Sequence, residues 1–451
     1  MSMTTVRGAR EATGRRGFLL LGAVQTTLVF TLASLAVPLP RIGAEFRLDR
    51  AELILLSAAY GLSFAGLLLL GGRLADRSGG RRVLTAGLLV FGTASALAPL
   101  APGYGTLLAA RFGQGMGAAL VAPAAMTVLR ALYPEPAAYG RAMATWGGLS
   151  VLGATAGNLL SGVIAAATSW RGTFGVPIAV TATALALAPR LLPATPPPGV
   201  RRPLDLPGAL LATTGITLAS FGLVLTDAHP WGSAPVLVPL LAGLVLLAAF
   251  GAVERRTADP LLPPDFLRDR RRALGLAAIG LTAAGTATVF VLLSLALQEQ
   301  RGWSALLTSA AFAPFAVALL GAGRLAGPLI GRYGPGPVSA TGLGTAAAGL
   351  GLLAATGFET SVPYAYGLLP GLVLLPAGGA LSFAGAAVLA TDGVPAHRAG
   401  LAGGVLNTAM ELGPTVLFAA LLTLGGDAVS LAAAAVLFTA LSATALLHQK
   451  G

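Results

Sequence analysis

Apolar residues along the chain gather into long runs, broken by short segments rich in arginine, glycine and proline. A membrane-spanning helix needs roughly 20 mainly apolar residues. Runs of that length, bounded by charges, Pro or Gly, predict helices near residues 18–37, 51–71, 83–101, 105–131, 140–166, 173–190, 207–226, 234–252, 273–297, 305–326, 338–356, 363–390, 399–423 and 428–447. The pattern therefore predicts an all-α polytopic membrane protein with fourteen transmembrane helices. Arg15 and Arg16, ahead of the first run, could pass for an export signal. That run is longer than a signal core and many more follow, so the pair reads as a cytoplasmic anchor.

The polar breaks set the orientation. With the N-terminus inside, cytoplasmic segments collect 23 of the 29 basic residues. External loops hold five (Arg41, Arg47, Arg50, Arg171 and Arg301), and one, Arg111, lies within a span. Basic residues favour the cytoplasmic side, so both termini are expected there, and only an even helix count allows this.

One break stands out: GRLADRSGGRRVL, Gly72 to Leu84, an arginine-rich, glycine-broken hairpin between two apolar runs. A worn echo, GPLIGRYGPGPVSA, starts at Gly327, with Gly331 at the place of Asp76. The 255-residue separation exceeds a six-helix half of about 190 residues by about 65, the length of two more spans with their loops. The expected domains are residues 1–195, a six-helix bundle; 196–272, a linker with two inserted helices; and 273–451, a second six-helix bundle. Proline-rich, basic segments, LLPATPPPGVRRP from Leu191 and ERRTADPLLPPDFLRDRRR from Glu254, flank the insertion.

Composition agrees with this class. Hydrophobic residues make up 55% of the chain and charged ones only 10%, with a mean hydropathy of +0.80, far from soluble globular domains. The net charge of +12 is spread over loops and forms no single patch, which argues against nucleic acid. Without cysteine there is no disulfide or thiolate chemistry. His229, His397 and His448 lie far apart at span ends, so no metal site is expected. No G-x-x-x-x-G-K-[ST] segment occurs, which argues against a direct ATP drive.

The chain resembles the major facilitator superfamily, specifically its fourteen-helix drug:proton antiporter branch, over nearly its whole length. The motif G-x-L-A-D-R-x-G-R-[RK]-x-x-L of the loop between helices 2 and 3 is matched by Gly72, Leu74, Ala75, Asp76, Arg77, Gly79, Arg81 and Leu84, with Gly80 where an arginine is usual. The helix 4 motif R-x-x-Q-G-x-G-A-A is matched throughout by Arg111, Gln114, Gly115, Gly117, Ala118 and Ala119. SWRGTF from Ser169, LDLPGALLATTG from Leu204 and AGLAGGVLNTAMELG from Ala399 follow in the order of that branch. Two departures weaken the antiporter signature. Helix 1 has Thr31 where an acid is usual, and helix 5 has Gly157 followed by Asn158, with Ser161 before Gly162, where glycine-proline and paired glycines are usual.

The residues also suggest roles of their own. Asp76 sits among Arg73, Arg77, Arg81 and Arg82, so its charge can pass between partners, and Gly79 and Gly80 let the turn close. The resemblance implies a gating charge network at Gly72, Asp76, Arg77, Gly79 and Arg81. An arginine inside a span is costly unless it faces a cavity or partner, which singles out Arg111. Glu411 is the only acid well inside a predicted span and is the candidate proton carrier; a structural partner role is the alternative. Gln25, Gln114, Asn158, Gln298 and Asn407 are candidate cavity residues, and interhelical hydrogen bonding is the competing role for each. Pairs such as Gly113 with Gly117, Gly153 with Gly157, and Gly400 with Gly404 read as packing seams.

The resemblance implies a secondary active transporter, not an enzyme. It would export amphipathic, drug-like or antibiotic compounds by proton antiport, with two bundles giving alternating access. The proton gradient would be the energy source, no cofactor is required, and a monomer in the cytoplasmic membrane is expected. A dedicated exporter of one endogenous metabolite or lipid, and a transport-inactive sensor or scaffold, are the alternatives. The intact helix 4 motif counts against the last.

Overall fold

Helix boundaries fall where the sequence places glycine, proline and charge. The protein, here as a computed structural model, is described for residues 3–35, 38–48, 50–194, 205–227, 229–257, 260–303, 305–356, 358, 360–395, 398–422 and 426–447. Fourteen helices of 17 residues or more occur among them: α1 (Met3–Ala33), α2 (Arg50–Ser78), α3 (Gly80–Leu97), α4 (Tyr104–Leu132), α5 (Pro136–Ala167), α6 (Gly175–Leu191), α7 (Leu206–Val224), α8 (Ala234–Glu254), α9 (Arg270–Leu295), α10 (Ala313–Tyr333), α11 (Pro335–Thr356), α12 (Leu369–Thr391), α13 (Ala399–Leu422) and α14 (Asp427–Leu447). Among the described residues, twelve helices are long and apolar enough to cross a membrane. The other two long helices are α5 and α13, of 32 and 24 residues.

The Gly72–Leu84 hairpin is helical on both sides of a one-residue turn. Residues through Ser78 complete the last turns of α2, α3 begins at Gly80, and Gly79 alone separates them, with φ 89° and ψ 132°. A side chain would strain that conformation. Gly80 is already helical, so its role is packing: a Cβ there would press on Thr127 of α4. The echo is built the same way, with Gly334 at φ 85° as the single residue between α10 and α11.

The chain forms two compact units. The first comprises Met1–Pro134, Leu149–Pro264 and Gly393–Thr408; the second comprises Glu135–Gly148, Asp265–Asp392 and Ala409–Gly451. Each packs by close backbone approach rather than bulk, as expected where lipid removes any hydrophobic drive between helices. In the first unit a Cβ at Gly117 would strike the Phe91 backbone, and one at Gly87 would strike Leu120, Val121 and the Gly117 carbonyl. In the second, Gly342 meets the backbone at Gly378 and Ser382, and Gly349 that at Gly371 and Leu375. Within the first unit α7 packs on α2, where Gly66 lies against Thr213 and Thr217. Its partner α8 leaves Val238, Leu241, Leu244 and Val245 exposed, the face that lipid would cover.

Ahead of α2 lies a short helix, Leu39–Phe46. Its Glu45 accepts hydrogen bonds from Trp170 Nε1 at 2.7 Å and from Arg171 Nη1 and Nη2 at 3.1 and 2.7 Å. Arg171 also bonds the Pro99 carbonyl at 3.1 Å and stacks 4.3 Å over the Trp170 ring. The Arg171 hydrogen bonds, then that of Trp170, hold the Glu45 carboxyl below its usual range. Because the folded-state value is lowered, this contribution is present above the ordinary carboxylate range and is lost as pH falls through the folded value. Glu45→Gln should therefore lower the melting temperature by a few degrees at neutral pH, with the gap to wild type closing in acid. Parallel melting curves check this, and a gap that persists unchanged in acid would count against it.

Candidate functional site

Asp76 ties two helices of the first unit together. It lies in the last turn of α2 and is buried, and its two carboxyl oxygens accept the backbone N–H groups of Gly400 and Leu401, the latter at 2.7 Å. These amides open α13, where helical N–H groups have no partner in their own helix and the helix end carries partial positive charge. The carboxylate reaches them because glycines clear the way. Gly72 and Gly400 meet backbone to backbone, and Gly404 lies against Leu68 and Gly72. Arg73 and Arg398 add Coulombic attraction to Asp76. The sequence placed Asp76 among arginines alone; its hydrogen-bond partners are helix-end amides 324 and 325 residues away.

Gly72, Asp76 and Gly79 thus belong to one α2–α13 contact and its turn. Arg77 is half-buried nearby in sequence. Arg81 donates instead to the Leu192 carbonyl at 3.1 Å, just beyond the end of α6.

Arg111 forms a second cluster, fully buried on α4. Its Nη1 donates to the Thr31 carbonyl of α1 at 3.0 Å and to Gln114 Oε1 at 3.1 Å, and its guanidinium lies 5.1 Å from the centre of the Tyr60 ring. Gln114 passes the chain on, donating to Ser95 Oγ of α3 at 2.9 Å. Arg111 Nε and Nη2 are buried without a hydrogen-bond partner. Thr31 offers Arg111 its carbonyl. Its hydroxyl donates to Thr27 O at 2.8 Å in its own helix.

The remaining expected residues are dispersed. Gln25 is buried on α1 and donates to Ser150 Oγ of α5 at 3.0 Å, while its Oε1 has no partner. Asn407 is buried on α13 and donates to the Gly403 carbonyl at 2.8 Å, one turn back. Glu411 is half-buried in the second unit, on the stretch of α13 where Ala409 and Gly413 lie against Gly280 of α9. Gln298 sits in a π-helical turn, Ala296–Gln300, at the end of α9. The side chains of Asn158 and Gln298 lie outside the described residues, as does His397. Among the described residues no cluster of His, Cys, Asp and Glu could hold a metal ion.

A family model described as Major Facilitator Superfamily matches residues 19–418. The chain belongs to this superfamily. Among curated relatives, the major facilitator chain is 37% identical over 441 residues to the cephamycin export protein CmcT of Amycolatopsis lactamdurans, covering 95% of this chain and 90% of that one. It is 35% identical to the puromycin resistance protein pur8 of Streptomyces alboniger, over 88% of this chain and 79% of that one. It is 36% identical to the lincomycin resistance protein of Streptomyces lincolnensis, over 90% and 84%. The fold matches that of the human organic anion transporter MFSD10 (TETRAN), with a TM-score of 0.66 at 18% identity over 95% of this chain and 98% of that one.

Three features of this major facilitator protein could not be read from sequence. The α13 amides that bind Asp76 carry no side-chain signature. The Glu45 clamp joins residues 125 and 126 apart. A buried carboxyl pair, Asp205 with Glu254, lies at the start of α7 and the end of α8; Asp205 fell in the LDLPGALLATTG stretch and Glu254 at the head of a charged connector, and neither pointed to the other.

Proposed function

We propose that this chain exports amphipathic, drug-like or antibiotic compounds by proton antiport through alternating access. The reading is carried by the end-to-end similarity to one export protein and two resistance proteins. With α5 and α13 counted as spans, fourteen helices cross the membrane, as two six-helix bundles, α1–α6 and α9–α14, with α7–α8 inserted. Both termini are cytoplasmic, and the membrane is the cytoplasmic one.

In this reading Asp76 latches the cytoplasmic end of α13. When that grip is released, the helix end can move and the substrate path opens inward. Arg111 and Gln114 form the polar switch of α4, and Glu411 exchanges the proton. The unpartnered atoms of Arg111 and Gln25 are ready to meet groups that arrive later in the cycle.

A dedicated exporter of one endogenous compound is the second reading. It is favoured by the first of these relatives, named for a single antibiotic, and by Thr31 in place of an acid. A drug-hypersensitive bacterial host expressing the protein tests both. Raised resistance to several unrelated amphipathic antibiotics supports the broad exporter. Resistance to one chemical class supports the dedicated one. No protection against any compound, with the protein in the membrane, removes the export reading.

A further inference from the structure

The inserted helices α7 and α8 meet at a pair of carboxyls that no step of the transport reading uses. Asp205 caps α7, its Oδ1 accepting the Gly208 N–H at 2.8 Å. Glu254 ends α8, its Oε2 accepting the Leu262 N–H at 2.7 Å from the connector that follows. Both side chains are more than nine-tenths buried, at 7% and 3% exposure. Each has one further oxygen, Asp205 Oδ2 and Glu254 Oε1, that receives no proton donor from any other group. These two oxygens face each other across Gly208. A Cβ on that glycine would collide with both, so the two oxygens are close neighbours.

Two neighbouring buried carboxylates repel and lack a donor. One proton between them turns both faults into a hydrogen bond. Neither carboxyl is bonded to a guanidinium among the described residues. The charged groups of the surrounding elements are otherwise occupied or set apart. On α2, which packs on α7, Asp76 is held by the α13 amides, and Arg73 and Arg77 bond neither carboxyl. Arg255 and Arg256, after Glu254, are exposed. Arg201 and Arg202, ahead of Asp205, lie outside the described residues.

We propose that Asp205 and Glu254 form a proton-binding site, holding one shared proton that clamps the N-terminus of α7, the C-terminus of α8 and the connector at Leu261 and Leu262. Loss of the proton leaves two anions in contact and releases the connector. The site makes this end of the inserted pair sensitive to the pH of the aqueous phase beside it. It is separate from Glu411 and does not rest on the export reading.

Infrared spectra of the full-length protein in lipid nanodiscs at about pH 7 test the stoichiometry, through the protonated-carboxyl band. Asp205→Asn and Glu254→Gln should each remove the intensity of one carboxyl, and the double variant should remove no more than either alone. Unchanged single variants, or a double variant that loses twice as much, would overturn the proposal. A second measurement needs no variant. Hydrogen exchange at the Gly208 and Leu262 amides of the wild type should rise at least about tenfold beyond the intrinsic base-catalysed increase when the pH is raised from about 5 to about 9. Protection that stays constant over that range would refute the clamp.

Discussion

Arg111→Leu is expected to yield a folded protein that does not transport. Arg111 is fully buried on α4 and holds two acceptors, the Thr31 carbonyl and Gln114 Oε1. Two hydrogen bonds from a charged donor are together worth about 3 kcal/mol or more, and a cycle that depends on them slows by about a hundredfold or more when they are lost. Stability should change far less. Placing an arginine in the apolar layer costs about 2.5 kcal/mol or more, which leucine avoids, while the orphaned Gln114 oxygen costs about 1–3 kcal/mol. The opposing effects nearly cancel. Arg111→Lys keeps the charge, but its differently shaped side chain does not set a donor where Nη1 meets both acceptors, so it should restore only part of the transport. Monodispersity and melting temperature, read beside transport rate, separate the two effects. Normal transport by the leucine variant would contradict this role.

Asp76→Asn is expected to slow turnover by about thirtyfold or more, again in a folded protein. Asp76 offers two acceptor oxygens to two amides at the start of α13. Asparagine keeps one acceptor and turns a donor toward the other amide. The substitution forfeits a charge-assisted hydrogen bond, about 1.5–3 kcal/mol, and the attraction of an anion to a helix N-terminus, up to about 2 kcal/mol. A bias of about 2 kcal/mol between two conformations already shifts their ratio about thirtyfold. Asp76→Glu should fare little better. The Gly72–Gly400 backbone contact leaves no space for another methylene. Hydrogen exchange at the Gly400 and Leu401 amides should rise in step with the loss of transport. An asparagine variant with wild-type turnover would rule out the latch.

Much of the architecture was legible because spanning helices announce themselves one at a time, by a run of apolar residues that needs no knowledge of neighbours. The pair of matching turns was legible for a similar local reason. Gly79 and Gly334 each supply the single left-handed residue that a helix-to-helix turn requires, and they sit 255 residues apart with matching flanks. Partnership between helices was not legible. Asp76 binds main-chain amides, which every residue but proline possesses, so its partner becomes visible only when α2 and α13 are seen side by side. The α2–α3 turn misled for the same reason: glycine signals both a turn and a close approach, and Gly79 is the first while Gly80 is the second. Arg111 and Gln114 were marked as a motif, but their anchor on the Thr31 carbonyl has no sequence signal. Glu254 was read as the first residue of a charged connector, although it ends α8 with its carboxyl buried against Asp205.

The central claim is that outward movement of an amphipathic compound is driven by inward movement of protons. It is tested most directly in proteoliposomes holding the purified protein, a pH-sensitive dye and a transported antibiotic, with an imposed pH gradient as the only energy source. The account predicts that the antibiotic moves against the proton flow, that adding it changes the internal pH at a rate set by transport, and that Glu411→Gln abolishes both movements together. Antibiotic transport that continues undiminished after the gradient is collapsed, or proton movement that survives Glu411→Gln, would contradict it.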